Sequence, residues 1–313
     1  MGIFIPTLSQ MAFLFLLIAV GFLLVKTRVM GEGAAAVLAK LENTVLIPAL
    51  VLRTFVENFT VERLGNSWTL FLSAFVLCFI SMALAIGLSR LCTKDGYLRR
   101  IYTYGLTFSN FGFMGNAVVS ALFPDIFFEY LIFTLPLWTM IYLWGVPALL
   151  LRDEGVQQTL ARRLKAFVNP MFIAMILGML IGLSGIKLPG FVSGAVSSAA
   201  DCMSPVAMLL TGITVAATPM KKMLSVGSVY VVTAIRLLSM PLLFLALCCF
   251  VEFSDTFIVC ATSALAMPLG LNTIVIPSAY GRDTSAAAGM TIVSHLCACG
   301  TIPLVFMLMQ KVM

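Results

Sequence analysis

Apolar stretches of about 20 residues recur along the whole chain, and each is long enough to cross the hydrocarbon core of a bilayer as a helix. The runs are continuous rather than alternating, which excludes a transmembrane β-barrel. The sequence therefore predicts an all-α integral membrane protein with ten transmembrane helices. The predicted spans cover residues 7–26, 34–56, 66–91, 98–123, 126–151, 168–185, 190–218, 223–251, 255–280 and 284–309.

The composition agrees with a membrane protein and excludes several other classes. Hydrophobic residues make up 61% of the chain and charged residues only 10%, whereas a soluble surface needs about 25–35% charged residues. A soluble globular protein, a disordered chain and a nucleic-acid-binding protein are therefore excluded. Cysteines lie in apolar runs, where a thiol acts as a small hydrophobe rather than as half of a disulfide.

Basic residues are concentrated in the loops that follow odd-numbered spans. Segments 90–100 and 152–165 are examples, whereas the opposite loops hold few basic residues. Positively charged loops face the cytoplasm, so the odd-numbered loops are predicted to be cytoplasmic. Both termini should then lie outside, in a multi-pass protein of the plasma (inner) membrane.

The two halves of the chain share landmarks at a nearly constant offset. The paired residues are Pro6 with Pro170, Pro48 with Pro205, and Asn116 with Asn272. They predict a first five-helix repeat (1–152), a cytoplasmic linker (153–166) and a second five-helix repeat (167–313). Because five is odd, the second repeat enters from the opposite side of the membrane, which is the inverted architecture of many secondary transporters.

The fourth and ninth spans carry helix-breaking residues at matching depths. Gly and Pro weaken a helix by about 1 and 3 kcal/mol relative to Ala, and paired interruptions of this kind indicate a site near the midplane. Asn116 and Asn272 are suited to cap the half-helices that follow, whose positive ends favour an anion. The alternative is that the glycines only allow close helix packing. The predicted substrate-binding residues are Asn110, Gly112, Gly115, Asn116, Pro268, Gly270 and Asn272.

Short motifs spread over nearly the whole chain form a recognisable set. They are Pro48-Ala49-Leu50, the Asn-x-Gly-x-x-Gly pattern at 110–115, Asn169-Pro170, the segments 186–189 and 205–212, Met267-Pro268, Tyr280, Asp283, Ser294 and Ile302-Pro303. Together they resemble the auxin efflux carrier family, in particular its compact bacterial members. One departure is Asn116-Ala117, where the family often has a proline soon after the second glycine.

The resemblance implies a ten-helix fold similar to that of bile-acid:sodium symporters and sodium–proton antiporters. In such proteins a scaffold domain supports a moving domain that carries the crossed fourth and ninth helices. The resemblance also implies an organic anion as substrate, such as indole acetate in plants or malate, malonate and related carboxylates in bacteria.

Ionisable and polar residues inside the predicted spans are candidates for ion coupling, because they are costly in a membrane. Glu42, Asn43 and Asp201 are predicted to form a proton or cation site, with a hydrogen-bonded packing pair as the alternative. Arg236 either meets the substrate carboxylate or forms a structural ion pair. His295, the single histidine, is either a packing residue or a proton relay, and alone it gives no metal site.

These features predict a secondary transporter that moves a small organic carboxylate by elevator-type alternating access, with the anion bound where the fourth and ninth helices cross. The alternative is a sodium- or proton-coupled symporter or exchanger of the same fold with a different cargo. The sequence contains no catalytic motif or phosphate-binding loop, so we expect no enzyme activity and no cofactor. The expected partners are the anion, the lipid bilayer and protons or sodium, with no nucleic acid and with a homodimer as the candidate assembly.

The predicted orientation can be tested by cysteine labelling on a cysteine-free background. A cysteine introduced in 153–166 should react with a membrane-impermeant maleimide only after permeabilisation, because this loop is predicted to be cytoplasmic. A cysteine added at either terminus should react in intact cells and is the positive control. Labelling of the loop in intact cells would contradict the orientation.

Overall fold

A computed structural model of the protein describes residues 2–31, 33–152, 168–216, 226–278 and 282–313. These residues form helices joined by short connectors, with one isolated β-bridge between Ser109 and Leu269. The helices are α1 (Phe4–Lys26), α2 (Ala34–Asn58), α3 (Val61–Cys92), α4 (Gly96–Thr107), α5 (Phe111–Leu122), α6 (Pro124–Leu150), α7 (Pro170–Ser184), α8 (Gly190–Ala216), α9 (Ser228–Cys248), α10 (Asp255–Ala266), α11 (Asn272–Ser278) and α12 (Ser285–Val312).

Seven helices of the described residues are long and apolar enough to cross a membrane, namely α1, α2, α3, α6, α8, α9 and α12. The shorter apolar helices are α5, α7 and α10. The protein is therefore an all-helical, multi-pass membrane protein, as predicted. The count of ten spans and the inverted repeat stay predictions. The predicted linker 153–166 lies outside the described residues, as do parts of the predicted spans 190–218, 223–251 and 255–280.

Residues at each end of α7 explain where this helix begins and ends. The side chain of Asn169 accepts a hydrogen bond from the N–H of Phe172 at 3.1 Å, which satisfies an amide that has no acceptor within the helix. Pro170 follows at the first helical position, where its missing N–H costs nothing. Gly185 ends the helix with a φ of 66°, a left-handed conformation that glycine adopts without a steric penalty.

The helices pack in two groups. In the first group, α1 packs along α8, and α2 packs against both α7 and α8. In the second group, α3 packs against α4 and α6, while α9, α10 and α12 pack against one another. The groups meet where α1 contacts α12 and where α8 contacts the start of α5.

Glycines allow the main chains of α1 and α8 to touch. A Cβ atom at Gly21 would overlap the main chain of Leu209, and one at Gly212 would overlap the main chain of Ile18. Helices in lipid associate through such close van der Waals contact, because the apolar surroundings provide no hydrophobic driving force. The α1–α8 contact therefore depends on the absence of side chains at these two positions.

We expect Gly212→Ala to lower the free energy of unfolding by about 1–3 kcal/mol, the usual cost of an overpacked contact. Thermal unfolding of the purified protein in detergent measures the change. Gly194→Ala is the matched control, because Gly194 lies on the same helix and a Cβ there would meet no atom within 4 Å. Equal melting temperatures for the two variants would contradict the close contact.

Candidate functional site

Two helical segments are interrupted, and their connectors meet. Residues 108–110 join α4 to α5, and residues 267–271 join α10 to α11. Ser109 and Leu269 form an antiparallel β-bridge, and the N–H of Asn110 donates to the carbonyl of Pro268 at 2.8 Å. We call this meeting point of residues 108–110 and 267–271 the crossover.

The first interruption lies earlier in the chain than the glycines suggested. The helix ends at Thr107 and starts again at Phe111, with a ψ of 42° at Asn110. A π-helical turn, Phe111–Gly115, then continues directly into the α-helical residues that follow. The prediction that Asn116 caps a half-helix is therefore wrong, because Asn116 lies inside a helix that has already begun.

The glycines of α5 serve packing, which was the alternative interpretation. A Cβ at Gly112 would overlap the indole ring of Trp138, and a Cβ at Gly115 would overlap the hydroxyl of Tyr130. That hydroxyl donates to the carbonyl of Phe111 at 3.1 Å. The two glycines therefore let side chains of α6 reach the first turn of α5.

The second interruption contains its predicted breakers. Pro268 and Gly270 both lie in the connector 267–271. A Cβ at Gly270 would come within 3.2 Å of the carbonyl oxygen of Ser109, so glycine permits the close approach of the two connectors. Asn272 is the first residue of α11, and its side-chain amide donates to the Tyr104 hydroxyl at 3.1 Å. The amide of Asn272 thus ties α11 to α4.

Arg236 lies behind the crossover in a π-helical turn of α9, with only 1% of its surface exposed. Its guanidinium donates to the carbonyl oxygens of Leu106 at 2.9 Å, Ala264 at 2.9 Å and Met267 at 3.3 Å. These carbonyls belong to the last turns of α4 and α10 or, at Met267, to the first connector residue after α10. The guanidinium is therefore held by main-chain oxygens, and it forms no ion pair within the described residues. Its contact with a substrate carboxylate stays a prediction.

This arrangement leaves the crossover electrostatically asymmetric. The last carbonyls of a helix carry about half a negative charge, and Arg236 offsets two such ends. The starts of α5 and α11 carry the opposite partial charge, and residues of both starts line a small cavity. The cavity has a volume of about 20 Å³ and is lined by 109–113, 270–272, Tyr104, Trp138 and Ile141.

Helix α12 supports the crossover from a third direction. The N–H of Leu269 donates to the Ser294 hydroxyl at 3.2 Å, and the side-chain amide of Asn110 lies 3.2 Å from Nε2 of His295. The side-chain oxygen of Asn110 is buried and has no hydrogen-bond partner among the described residues. Asn110 is thus a cavity-lining residue whose bonding capacity is only partly used.

A sequence profile of the membrane transport protein family matches the chain over residues 6–160 and 154–306. The chain belongs to the auxin efflux carrier family. A search of curated proteins finds no match. Membership of a transporter family means that this carrier works in a lipid bilayer on a transported substrate, and it favours transport over catalysis.

The predicted coupling residues of the carrier do not form one group. Glu42 is fully buried in a π-helical turn of α2, and neither carboxylate oxygen has a hydrogen-bond partner among the described residues. Asn43 points away and donates to the carbonyl of Ala39 at 2.7 Å. The side chain of Asp201 is 70% exposed and forms an ion pair with Arg53 at 2.7 Å. The structure therefore separates Asp201 and Asn43 from Glu42.

Four residues at the carrier's crossover were not predicted as site residues from the sequence. Tyr104, Ser109, Trp138 and Ser294 all contact the connectors or line the cavity. Ser294 belongs to the motifs shared with the family, and Ser109 directly precedes the pattern at 110–115, which is a usable signal. Tyr104 and Trp138 carry no such signal, because their distance from the crossover depends on how α4 and α6 pack.

Replacing Arg236 should destabilise the carrier in a graded way. We expect Arg236→Lys to cost about 1–2 kcal/mol, since one ammonium group cannot reach three carbonyls at once, and Arg236→Met to cost about 3 kcal/mol. Thermal unfolding in detergent measures the loss of stability in each variant. Arg53→Met is the control and should cost less than about 1 kcal/mol, because its partner Asp201 is 70% exposed and such ion pairs contribute little. Equal losses at the two arginines would contradict the role of Arg236.

Proposed function

We propose that the protein is a secondary transporter for a small organic carboxylate, which binds in the crossover cavity. The supporting observation is the position of Arg236, the single fully buried cation among the described residues. Arg236 bonds the carbonyl ends of α4 and α10, so their negative partial charges are offset. The amide ends of α5 and α11 then dominate the cavity, and the positive partial charge of a helix start favours an anion.

The size of the cavity supports a closed conformation. A volume of about 20 Å³ holds little more than one water molecule, so a carboxylate-bearing substrate requires the surrounding helices to separate. The ring of Trp138 lies directly against Gly112 and lines the same cavity. We infer that displacement of this ring accompanies substrate binding.

The two packing groups support elevator-type alternating access. Helices α1, α2, α7 and α8 would form the scaffold, and the group that contains both interrupted segments would carry the substrate. Their contacts are confined to a few pairs, chiefly α1 with α12 and α8 with the start of α5. A movement of one group would therefore expose the cavity without separating α4 from α10. We further propose ten spans in two inverted repeats, external termini and a location in the plasma (inner) membrane.

A proton- or sodium-coupled carrier is the second candidate, and Glu42 favours it. A buried carboxylate without a partner costs free energy unless it is protonated or holds a cation. Both side-chain oxygens of Glu42 lack a partner within the described residues. Uptake into proteoliposomes, measured with and without proton and sodium gradients, distinguishes this candidate from an uncoupled carrier.

The cavity site is tested by substrate affinity. Labelled mono- and dicarboxylates, including malate, malonate and indole acetate, identify a transported probe in proteoliposomes. We expect Asn272→Ala and Asn110→Ala each to weaken binding of that probe about tenfold, which corresponds to the loss of about 1.4 kcal/mol. Isothermal calorimetry on purified protein measures the affinity directly.

Asn58→Ala is the control for these two variants. Its amide donates to the carbonyl of Thr54 and its oxygen accepts from Arg63, outside the crossover. The control should bind the probe as tightly as the unmodified protein. Unchanged affinity in both cavity variants would show that the anion binds elsewhere, and the absence of uptake for every carboxylate would contradict the proposed function.

A further inference from the structure

The hydrogen bonds of His295 fix which of its nitrogens carries the proton. Nδ1 lies 2.8 Å from the carbonyl oxygen of Thr291, and a carbonyl oxygen only accepts, so Nδ1 must be the donor. A neutral imidazole has one N–H, so Nε2 is the acceptor in that form. The group 3.2 Å from Nε2 is the side-chain amide nitrogen of Asn110, which therefore donates to it.

This bond uses one of the two amide hydrogens of Asn110 and leaves its side-chain oxygen to be considered. An amide side chain has a donor nitrogen at one end and an acceptor oxygen at the other. With its nitrogen directed at His295, Asn110 keeps an oxygen that is buried and has no partner among the described residues. A carboxylate has no hydrogen to donate, so it cannot pair with that oxygen while His295 is neutral.

We propose that His295 takes up one proton when a carboxylate binds at the crossover, so that the carrier moves one proton together with each carboxylate. The proposal rests on the proposed function. In the protonated imidazole Nε2 becomes a donor, and the Asn110 amide makes a half-turn to offer it the oxygen. The amide nitrogen then points into the cavity and donates to the carboxylate. A hydronium ion of the aqueous phase gives up one proton, so one O–H bond breaks, one N–H bond forms at Nε2 and a water molecule is left. The imidazolium then offsets the negative charge of the substrate.

In water a proton prefers an imidazole to a carboxylate. Imidazole is a stronger base than a carboxylate by about two pK units in water. Linkage is reciprocal, so protonation of His295 strengthens carboxylate binding by the same factor by which the carboxylate strengthens protonation. The apparent affinity for the carboxylate should therefore rise by up to tenfold for each unit of falling pH while free His295 is neutral.

No other ionisable group hydrogen-bonds to this imidazole in the described part of the chain. Away from Asn110, His295 lies in a groove of about 350 Å³ between α1, α8 and α12, whose other lining side chains are apolar except for Thr211. The arginine of α9 bonds three carbonyls, and the aspartate of α8 is paired with Arg53. The remaining titratable groups on α12 and on the helices packed against it are Lys26, Cys202, Tyr230, Cys248, Asp255, Cys260, Cys297, Cys299 and Lys311.

The unmodified protein provides a direct test, because it contains a single histidine. Histidine labelled with ¹³C and ¹⁵N gives one imidazole signal in solid-state NMR of the full chain in liposomes, provided that the affinity tag contains no histidine. At neutral pH we expect the neutral ring with its proton on Nδ1. Addition of malate, or of the best-transported carboxylate of the panel, should convert the signal to imidazolium.

Transport measurements test the coupling in the same liposomes. We expect about one proton to enter with each carboxylate in the unmodified protein, as reported by a trapped pH-sensitive dye. His295→Gln keeps a donor and an acceptor but cannot take up a proton, so the number of protons that enter with each carboxylate should fall to about zero and the pH dependence of affinity should be lost. Thr211→Val, in the same groove, is the matched control and should retain proton entry.

Three results would overturn the proposal. The first is a ring that stays neutral in the presence of the bound carboxylate, or that carries its proton on Nε2 without it. The second is proton entry that persists in His295→Gln. The third is proton entry that is lost in Glu42→Gln but kept in His295→Gln, which would assign the coupling to Glu42. If no carboxylate is bound or transported at any pH, the proposed function itself fails and the coupling proposal fails with it.

Discussion

An interrupted helix inside a bilayer must find partners for its free backbone groups, because lipid offers none. Here the backbone groups of both interrupted segments find partners at the same place. Arg236 binds the carbonyls of Leu106, Ala264 and Met267, and the two connectors bond to each other through Asn110 and Pro268. The cost of burying the guanidinium is met by these bonds and by the two negative helix ends. The arrangement of α4, α5, α10 and α11 depends on this buried cation.

The general architecture could be predicted from the sequence, because the length and continuity of the apolar runs allow little else. The pairing of two interrupted segments was also predictable from the matching Gly and Pro clusters. The position of the first interruption was not. Helix propensity placed it at Gly112 and Gly115, whereas pairing between Ser109 and Leu269 places it several residues earlier. Such a contact joins distant parts of the chain and outweighs a local preference.

The depth of a charged residue within a span is readable from sequence, but the direction of its side chain is not. Glu42 and Asp201 were predicted to belong to one site. One is completely buried, and the other turns outward to Arg53. Likewise, no pattern indicated that Arg236 would bind backbone carbonyls, since main-chain oxygens are present at every position. The identity of the candidate residues was therefore predictable, while their partners required the three-dimensional packing.

Main-chain groups hold the crossover together. The side chains of the residues that supply those groups are therefore only weakly constrained by these contacts. Arg236 binds the carbonyls of residues 106, 264 and 267, and a carbonyl survives any substitution at its own residue. Cavity side chains that bond to neither connector are thus free to diverge in evolution, whereas Gly270 is needed for the approach of the two connectors. After gene duplication, substitutions at positions such as Trp138 and Ile141 could change the transported substrate. The crossing of the two interrupted helices would remain as it is.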